Sequence, residues 1–133
     1  MGEASGQRSL RVLIADDNED AADMLAQLVR LRGYEVAVAH DGLEAVSSAA
    51  TFMPDVALLD IGMPELDGHQ VARELRKERG SDVTLVAITG WEDGEDGQSS
   101  SSAGFDHHLT KPIDLDGLIS WLAARSRQKG QSL

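Results

Sequence analysis

The chain has 133 residues, 41% of them hydrophobic, a formal net charge of −11 and no cysteine. That length suits one domain with a core of its own, and the lack of cysteine excludes a disulfide framework or a thiolate metal site. The acidic balance speaks against direct binding to nucleic-acid phosphates, which needs clustered Lys and Arg, and no apolar run is long enough to span a bilayer.

Residues 1–9 lack the apolar segment of a signal peptide and read as a disordered tail, so a cytoplasmic protein is the expectation. The first β-rich run is Arg11-Val-Leu-Ile-Ala15. Glu19 to Leu31 follows with Met24, Leu25, Leu28 and Leu31 at helical spacing, and Gly33 supplies a stop signal. Asp17 or Asn18 is placed to cap that helix. Glu35-Val-Ala-Val-Ala39 is the second run. Gly42 to Thr51 is an Ala-rich helix with Leu43 and Val46 directed inward. Asp55-Val-Ala-Leu-Leu-Asp60 is the third run, and Gly68 to Arg79 is a helix with Val71, Ala72 and Leu75 on one side, ended by Gly80.

Val83-Thr-Leu-Val-Ala-Ile88 is the fourth run and Asp106-His-His-Leu109 a weaker fifth. Between them, where alternation calls for a fourth helix, stand Gly94, Gly97 and the serines Ser99 to Ser102. Each glycine costs about 1 kcal/mol against alanine in a helix interior, and serine prefers turns and caps. A short, frayed helix is expected there. Ile113 to Arg127 closes the chain as a helix with Leu115, Leu118, Ile119 and Leu122 on one side. The expected division is a domain over residues 10–126 with a tail over 127–133. No effector domain is expected to follow it.

Runs one, three and four are nearly all apolar, as strands covered on both faces are. Strands alternating with helices predict an α/β parallel sheet with helices on both faces. Ligands of such sheets bind beyond the carboxyl ends of the strands. At those ends stand Asp16 and Asp17, Asp60, Thr89 with Gly90, and Lys111 before Pro112.

Three carboxylates at one edge repel each other, and a hard divalent cation resolves the repulsion; carboxylate oxygens suit Mg²⁺ or Mn²⁺. Asp16 and Asp17 point to opposite sides of a regular strand, so one would bind metal directly and the other through water. A backbone carbonyl near Gly62 would complete the protein ligands. Asp60 can act as a nucleophile. The Lys111 ammonium and the Thr89 hydroxyl would then meet the equatorial oxygens of a transferring phosphoryl group, with Gly90 leaving it space. A phosphohydrolase of the aspartate-dependent kind usually carries a second acid two residues after its nucleophile. Gly62 occupies that position.

From Arg11 to Arg125 the chain resembles the response-regulator receiver family. The resemblance is carried by Val12-Leu-Ile-Ala-Asp-Asp-Asn18, Leu58-Leu-Asp-Ile-Gly-Met-Pro64 with Asp67-Gly68, Ile88-Thr-Gly90 and Leu109-Thr-Lys-Pro112. It implies a flavodoxin-like (βα)5 doubly wound sandwich, a five-stranded parallel sheet of order 2-1-3-4-5, and five helices. It implies Asp60 as phosphoacceptor, Asp16 and Asp17 as the acidic pair for Mg²⁺, Thr89 as the switch hydroxyl and Lys111 as the phosphate-binding lysine, with a cis Lys111-Pro112 bond. The partners implied are a sensor histidine kinase or histidine phosphotransfer domain as donor, and an unknown downstream protein. Phosphorylation would change the loop after the fourth strand and the output face, and the domain would not be a multiple-turnover enzyme.

Two departures stand out. The family's switch couples the threonine to an aromatic three residues before the lysine, and here that residue is His108. The Gly- and Ser-rich stretch falls where the family builds much of its output surface, which leaves two readings open: output by order–disorder or through another face, or an untended surface with no role in output. Trp91 is placed to shield an aspartyl phosphate or to anchor its loop, and Trp121 to pack. His107 and His108 should face opposite sides of their strand. The forms compatible with the chain are a single-domain regulator, a phosphorelay intermediate, an idle receiver-like module, or a piece of a hybrid kinase, whose receivers the Gly104–Pro112 run resembles.

Overall fold

A computed structural model describes residues 10–63, 68–90 and 104–131. Five parallel strands, β1 (Arg11–Ala15), β2 (Glu35–Ala39), β3 (Val56–Asp60), β4 (Thr84–Thr89) and β5 (His107–Thr110), form one sheet in the order β2-β1-β3-β4-β5. The helices are α1 (Glu19–Arg30), α2 (Gly42–Phe52), α3 (Gly68–Arg79) and a last helix, α4 (Leu115–Gln131), with a 3₁₀ turn at Gly80–Asp82. The expected flavodoxin-like topology is the one found. The expected loose helix lies outside the described residues, as do Trp91 and residues 1–9.

Alternation within the central strands builds two cores. Leu13, Ala15, Ala57, Leu59 and Leu85 face one side, packed with Ala45 and Ala49 of α2 and Val71, Ala72 and Leu75 of α3. Val12, Ile14, Val56, Leu58, Val86 and Ile88 face the other, packed with Ala22, Ala26 and Val29 of α1 and Leu118 and Leu122 of α4. β1, β3 and β4 are thereby covered on both faces, which is why their sequences are near-continuous apolar runs.

Local signals set the helix ends. Asn18 caps α1, its side chain accepting from Ala21 N at 3.1 Å. Asp41 caps α2 by accepting from Glu44 N at 2.8 Å, and Glu44 Oε1 accepts from His40 N at 2.6 Å, a close relative of the capping box. Gly33 and Gly80, with φ of 95° and 58°, follow the ends of α1 and α3, in a left-handed region that glycine enters at little cost.

Two helix faces differ from expectation. In α1 the buried residues are Ala22, Ala26 and Val29, while Met24 is 64% and Leu31 78% exposed. In α2, Ala45 and Ala49 are buried and Leu43 is exposed. Small residues let each helix axis approach the sheet, and this displaces the larger apolar side chains to the flanks. The last helix, expected over Ile113 to Arg127, runs from Leu115 to Gln131.

Candidate functional site

The register of the parallel sheet brings the polar strand ends together. Ala15 pairs with Leu59 and Asp60 with Ile88, so Asp16 and Asp60 end adjacent strands side by side. Thr89 pairs with Thr110, and Lys111 N donates to Thr89 O at 2.8 Å, which places Lys111 across Thr89 from Asp60. Asp16, Asp60 and Thr89 are buried, and Asp17 is exposed. The two aspartates of the pair thus divide as the strand pleat requires.

Backbone amides orient both buried carboxylates. Asn18 N donates to Asp16 Oδ1 at 3.0 Å, and Gly62 N donates to Asp60 Oδ1 at 2.9 Å. The Lys111 ammonium lies 3.2 Å from Asp60 Oδ2 and 3.8 Å from Asp16 Oδ2. The Lys111–Pro112 peptide is cis.

Burial, reinforced by the Asp60 carboxylate beside it, raises the Asp16 carboxyl from 3.8 to about 6, against the pull of the Asn18 amide and Lys111. Burial alone would lower the Lys111 ammonium, but the carboxylates of Asp60, Asp16 and Asp17 outweigh it and hold it above 10.5. One lysine therefore leaves an excess of negative charge in the pocket. Oxygens of Asp16, Asp17 and Asp60 lie within 4.8 Å of one another. A set of hard carboxylate oxygens held together at an electrostatic cost fits a divalent cation such as Mg²⁺ or Mn²⁺.

The other expected residues divide. Gly90 is half-buried at the end of β4. His108 is exposed, with its ring 6.3 Å from that of Phe105. His107 faces the opposite side, stacked on Trp121 at 5.0 Å and 8°, and Trp121 is partly buried against the core cluster on that face. His40 is held between Asp23 and Glu44, and His69 meets the Phe105 ring edge-on at 6.0 Å.

Two features escaped the sequence reading. The Gly62 amide donates to Asp60 Oδ1, and a glycine two residues past an aspartate gives no signal of that donation. A groove of about 330 Å³ runs from Asp16 and Lys111 between α1 and the start of α4, lined by Met24, Leu25, Leu28, Pro112 and Ile113. Met24 lies at helical spacing in the sequence, yet it lines this exposed groove.

The response regulator receiver domain family matches residues 12–123. The chain belongs to that family. Response regulator MprA of Mycobacterium bovis is 35% identical over 120 residues, covering 90% of this chain and 52% of that protein, and MprA of Mycobacterium tuberculosis gives the same figures. The chain thus spans about half the length of the curated relatives it matches. The Francisella response regulator 1452 receiver domain superposes with a TM-score of 0.80 at 29% identity, over 91% of this chain and 99% of that one. The CheY-like receiver domain protein from Methanospirillum hungatei gives 0.85 at 25% identity, over 95% and 100%. This receiver domain belongs to two-component signalling. Among its described residues no helix is long and apolar enough to cross a membrane.

Proposed function

We propose that this receiver domain is a phosphoacceptor switch in which Asp60 takes a phosphoryl group from a phosphohistidine donor, with Mg²⁺ as cofactor. The observation that carries the reading is the placement of the buried Asp60 carboxylate 3.2 Å from the Lys111 ammonium, within a set of three carboxylates that fits a divalent cation. Asp16, Asp60 and the Gly62 carbonyl would hold the metal directly, and the exposed Asp17 through water. Bound there, Mg²⁺ would neutralise charge on the carboxylates and on the incoming phosphoryl oxygens.

An Asp60 carboxylate oxygen forms the new O–P bond as the N–P bond of the donor breaks, and the imidazole leaves with the electron pair and takes up a proton. Lys111 balances charge on the phosphoryl oxygens. The Thr89 hydroxyl, at the end of the neighbouring strand, donates to one of them, and Gly90 leaves them room. The groove beside Met24 supports a protein donor, because a helix or loop seated there would end at Asp16 and Lys111. The domain promotes its own phosphorylation and its own dephosphorylation by water, and serves as a switch rather than as a multiple-turnover enzyme; the phosphorylated form acts on a downstream protein. A sensor kinase or a phosphotransfer domain meets the requirement for a donor, as in a phosphorelay.

The test is intact mass after incubation with acetyl phosphate and Mg²⁺, beside Asp60→Asn. A gain of one phosphoryl mass that needs both Asp60 and the metal is the expected result. Phosphorylation that persists in Asp60→Asn at the same rate would overturn the assignment.

A further inference from the structure

Gly68, the first residue of α3, is buried directly against the backbone of the carboxylate pocket. A Cβ on it would lie 2.7 Å from Ile61 Cα, 2.8 Å from the Asp60 carbonyl oxygen and 3.0 Å from its carbonyl carbon. All three atoms are main chain, so no rotamer can move aside. Nor is the glycine there for its conformation: the positive-φ glycines among the described residues are Gly33, Gly80 and Gly104. What position 68 requires is room.

Neither neighbour can easily give way. On one side, Ile61 N donates to Ile88 O at 3.2 Å and Asp60 pairs with Ile88, which pins the 60–61 peptide to the sheet. On the other, α3 is anchored by Val71, Ala72 and Leu75 in the core it shares with Leu59 and Leu85. The start of α3 is therefore a stop against which the segment carrying Asp60 and Gly62 rests. Asp60 Oδ1 in turn depends on the Gly62 amide at 2.9 Å, and Asp60 Oδ2 on Lys111 at 3.2 Å.

We infer that Gly68 is a positioning residue for the carboxylate pocket: its missing side chain lets α3 set the height of the Asp60–Gly62 segment, and so the spacing of Asp60 from Asp16 and Lys111. This deepens the phosphoacceptor reading and rests on it for the identity of the bound ion. A metal or phosphoryl site works only when its groups are held within about 0.5 Å of the productive geometry. A methyl at position 68 would push the 60–62 segment by an amount of that order.

The experiment compares wild type, Gly68→Ala and Val71→Ala. Val71→Ala opens a cavity under the same helix and adds no atom against the 60–61 peptide. Two quantities are read in each: Mg²⁺ affinity by calorimetric titration with the metal alone, and the Gly62 amide resonance in metal-free protein. Gly68→Ala is expected to weaken Mg²⁺ binding by about tenfold or more and to shift the Gly62 amide, while Val71→Ala stays within about twofold of wild type although it too lowers the melting temperature. Should Gly68→Ala be unfolded in plain buffer, all three are compared in about 1 M trimethylamine N-oxide, which favours the compact state.

A Gly68→Ala protein with wild-type affinity and an unmoved Gly62 amide overturns the inference, as does equal weakening in both variants. If wild type itself binds no Mg²⁺, the phosphoacceptor reading fails separately. The metal-free Gly62 resonance then still decides whether Gly68 sets the pocket.

Discussion

Neutralising Asp16 should make the metal-free protein more stable, and the gain should depend on pH in a defined way. Burial and the neighbouring Asp60 raise the Asp16 carboxyl from 3.8 to about 6. The folded state therefore binds a proton there more readily than the unfolded chain, and the favourable contribution of that proton is complete below about pH 3.8 and lost as pH rises through about 6. Above that range the ionised Asp16 costs roughly two pKa steps, or about 3 kcal/mol. Asp16→Asn keeps the shape and an acceptor for the Asn18 amide while removing the charge. Urea unfolding in the presence of a chelator should show the variant more stable by about 2–3 kcal/mol near neutral pH, equivalent to a melting shift on the order of 10 °C for a domain of this size. The difference should close as pH falls toward 4. Saturating Mg²⁺ should narrow it again from the other side, because a ligand at about 100 times its Kd stabilises the wild type by about 2.7 kcal/mol and the variant by less. A variant that is less stable than wild type at neutral pH, or a difference that does not change with pH, would refute this account of the pocket.

Arg76→Ala should lower stability by about 2–3 kcal/mol, because Arg76 donates to Gly80 O, Val83 O, Gly104 O and Asp106 Oδ2 and so ties α3 to the start of β5; denaturant unfolding measures it, and a loss below about 0.5 kcal/mol would mark the contacts as surface decoration. His107→Ala should red-shift Trp121 emission and cost about 1 kcal/mol, since the imidazole covers that indole face at 5.0 Å; unchanged emission would deny the stack. Met24→Lys should slow phosphoryl transfer from a phosphohistidine protein by about tenfold or more while leaving acetyl phosphate labelling unchanged, because Met24 is 64% exposed in the groove and makes no part of the carboxylate pocket. Equal slowing with both donors would place its effect on folding instead.

The strands and the carboxylate pocket were legible in the sequence for one physical reason. A parallel strand covered on both faces must be apolar along its length, so each polar residue at the end of such a run marks the sheet edge where ligands bind. Asp16, Asp60, Thr89 and Lys111 were read in that way, and register then brought them together. The reading was weaker for helices. Hydropathy ranks Met24 and Leu31 above Ala22 and Ala26, yet the alanines are buried and the larger residues are exposed. Close approach of a helix to a sheet selects for small volume, which a hydrophobicity pattern does not weigh.

Arg76 and Gly68 illustrate what spacing leaves out altogether. Arg76 reads as one more charge on the solvated side of α3, but its guanidinium reaches carbonyls at residues 80, 83 and 104, none of them on α3. Gly68 reads as the start of a helix, but a Cβ there would collide with the Asp60–Ile61 backbone. Both meanings depend on segments outside α3, so they exist only once the chain has closed on itself. The chemistry of the pocket is thus written in residue types, while the accuracy with which that chemistry is held is written in contacts, and the two should respond to different substitutions. Changing Asp60 should remove phosphoryl acceptance outright. Changing Gly68 should keep every reacting group but displace the Asp60–Gly62 segment, and so weaken metal binding through geometry alone.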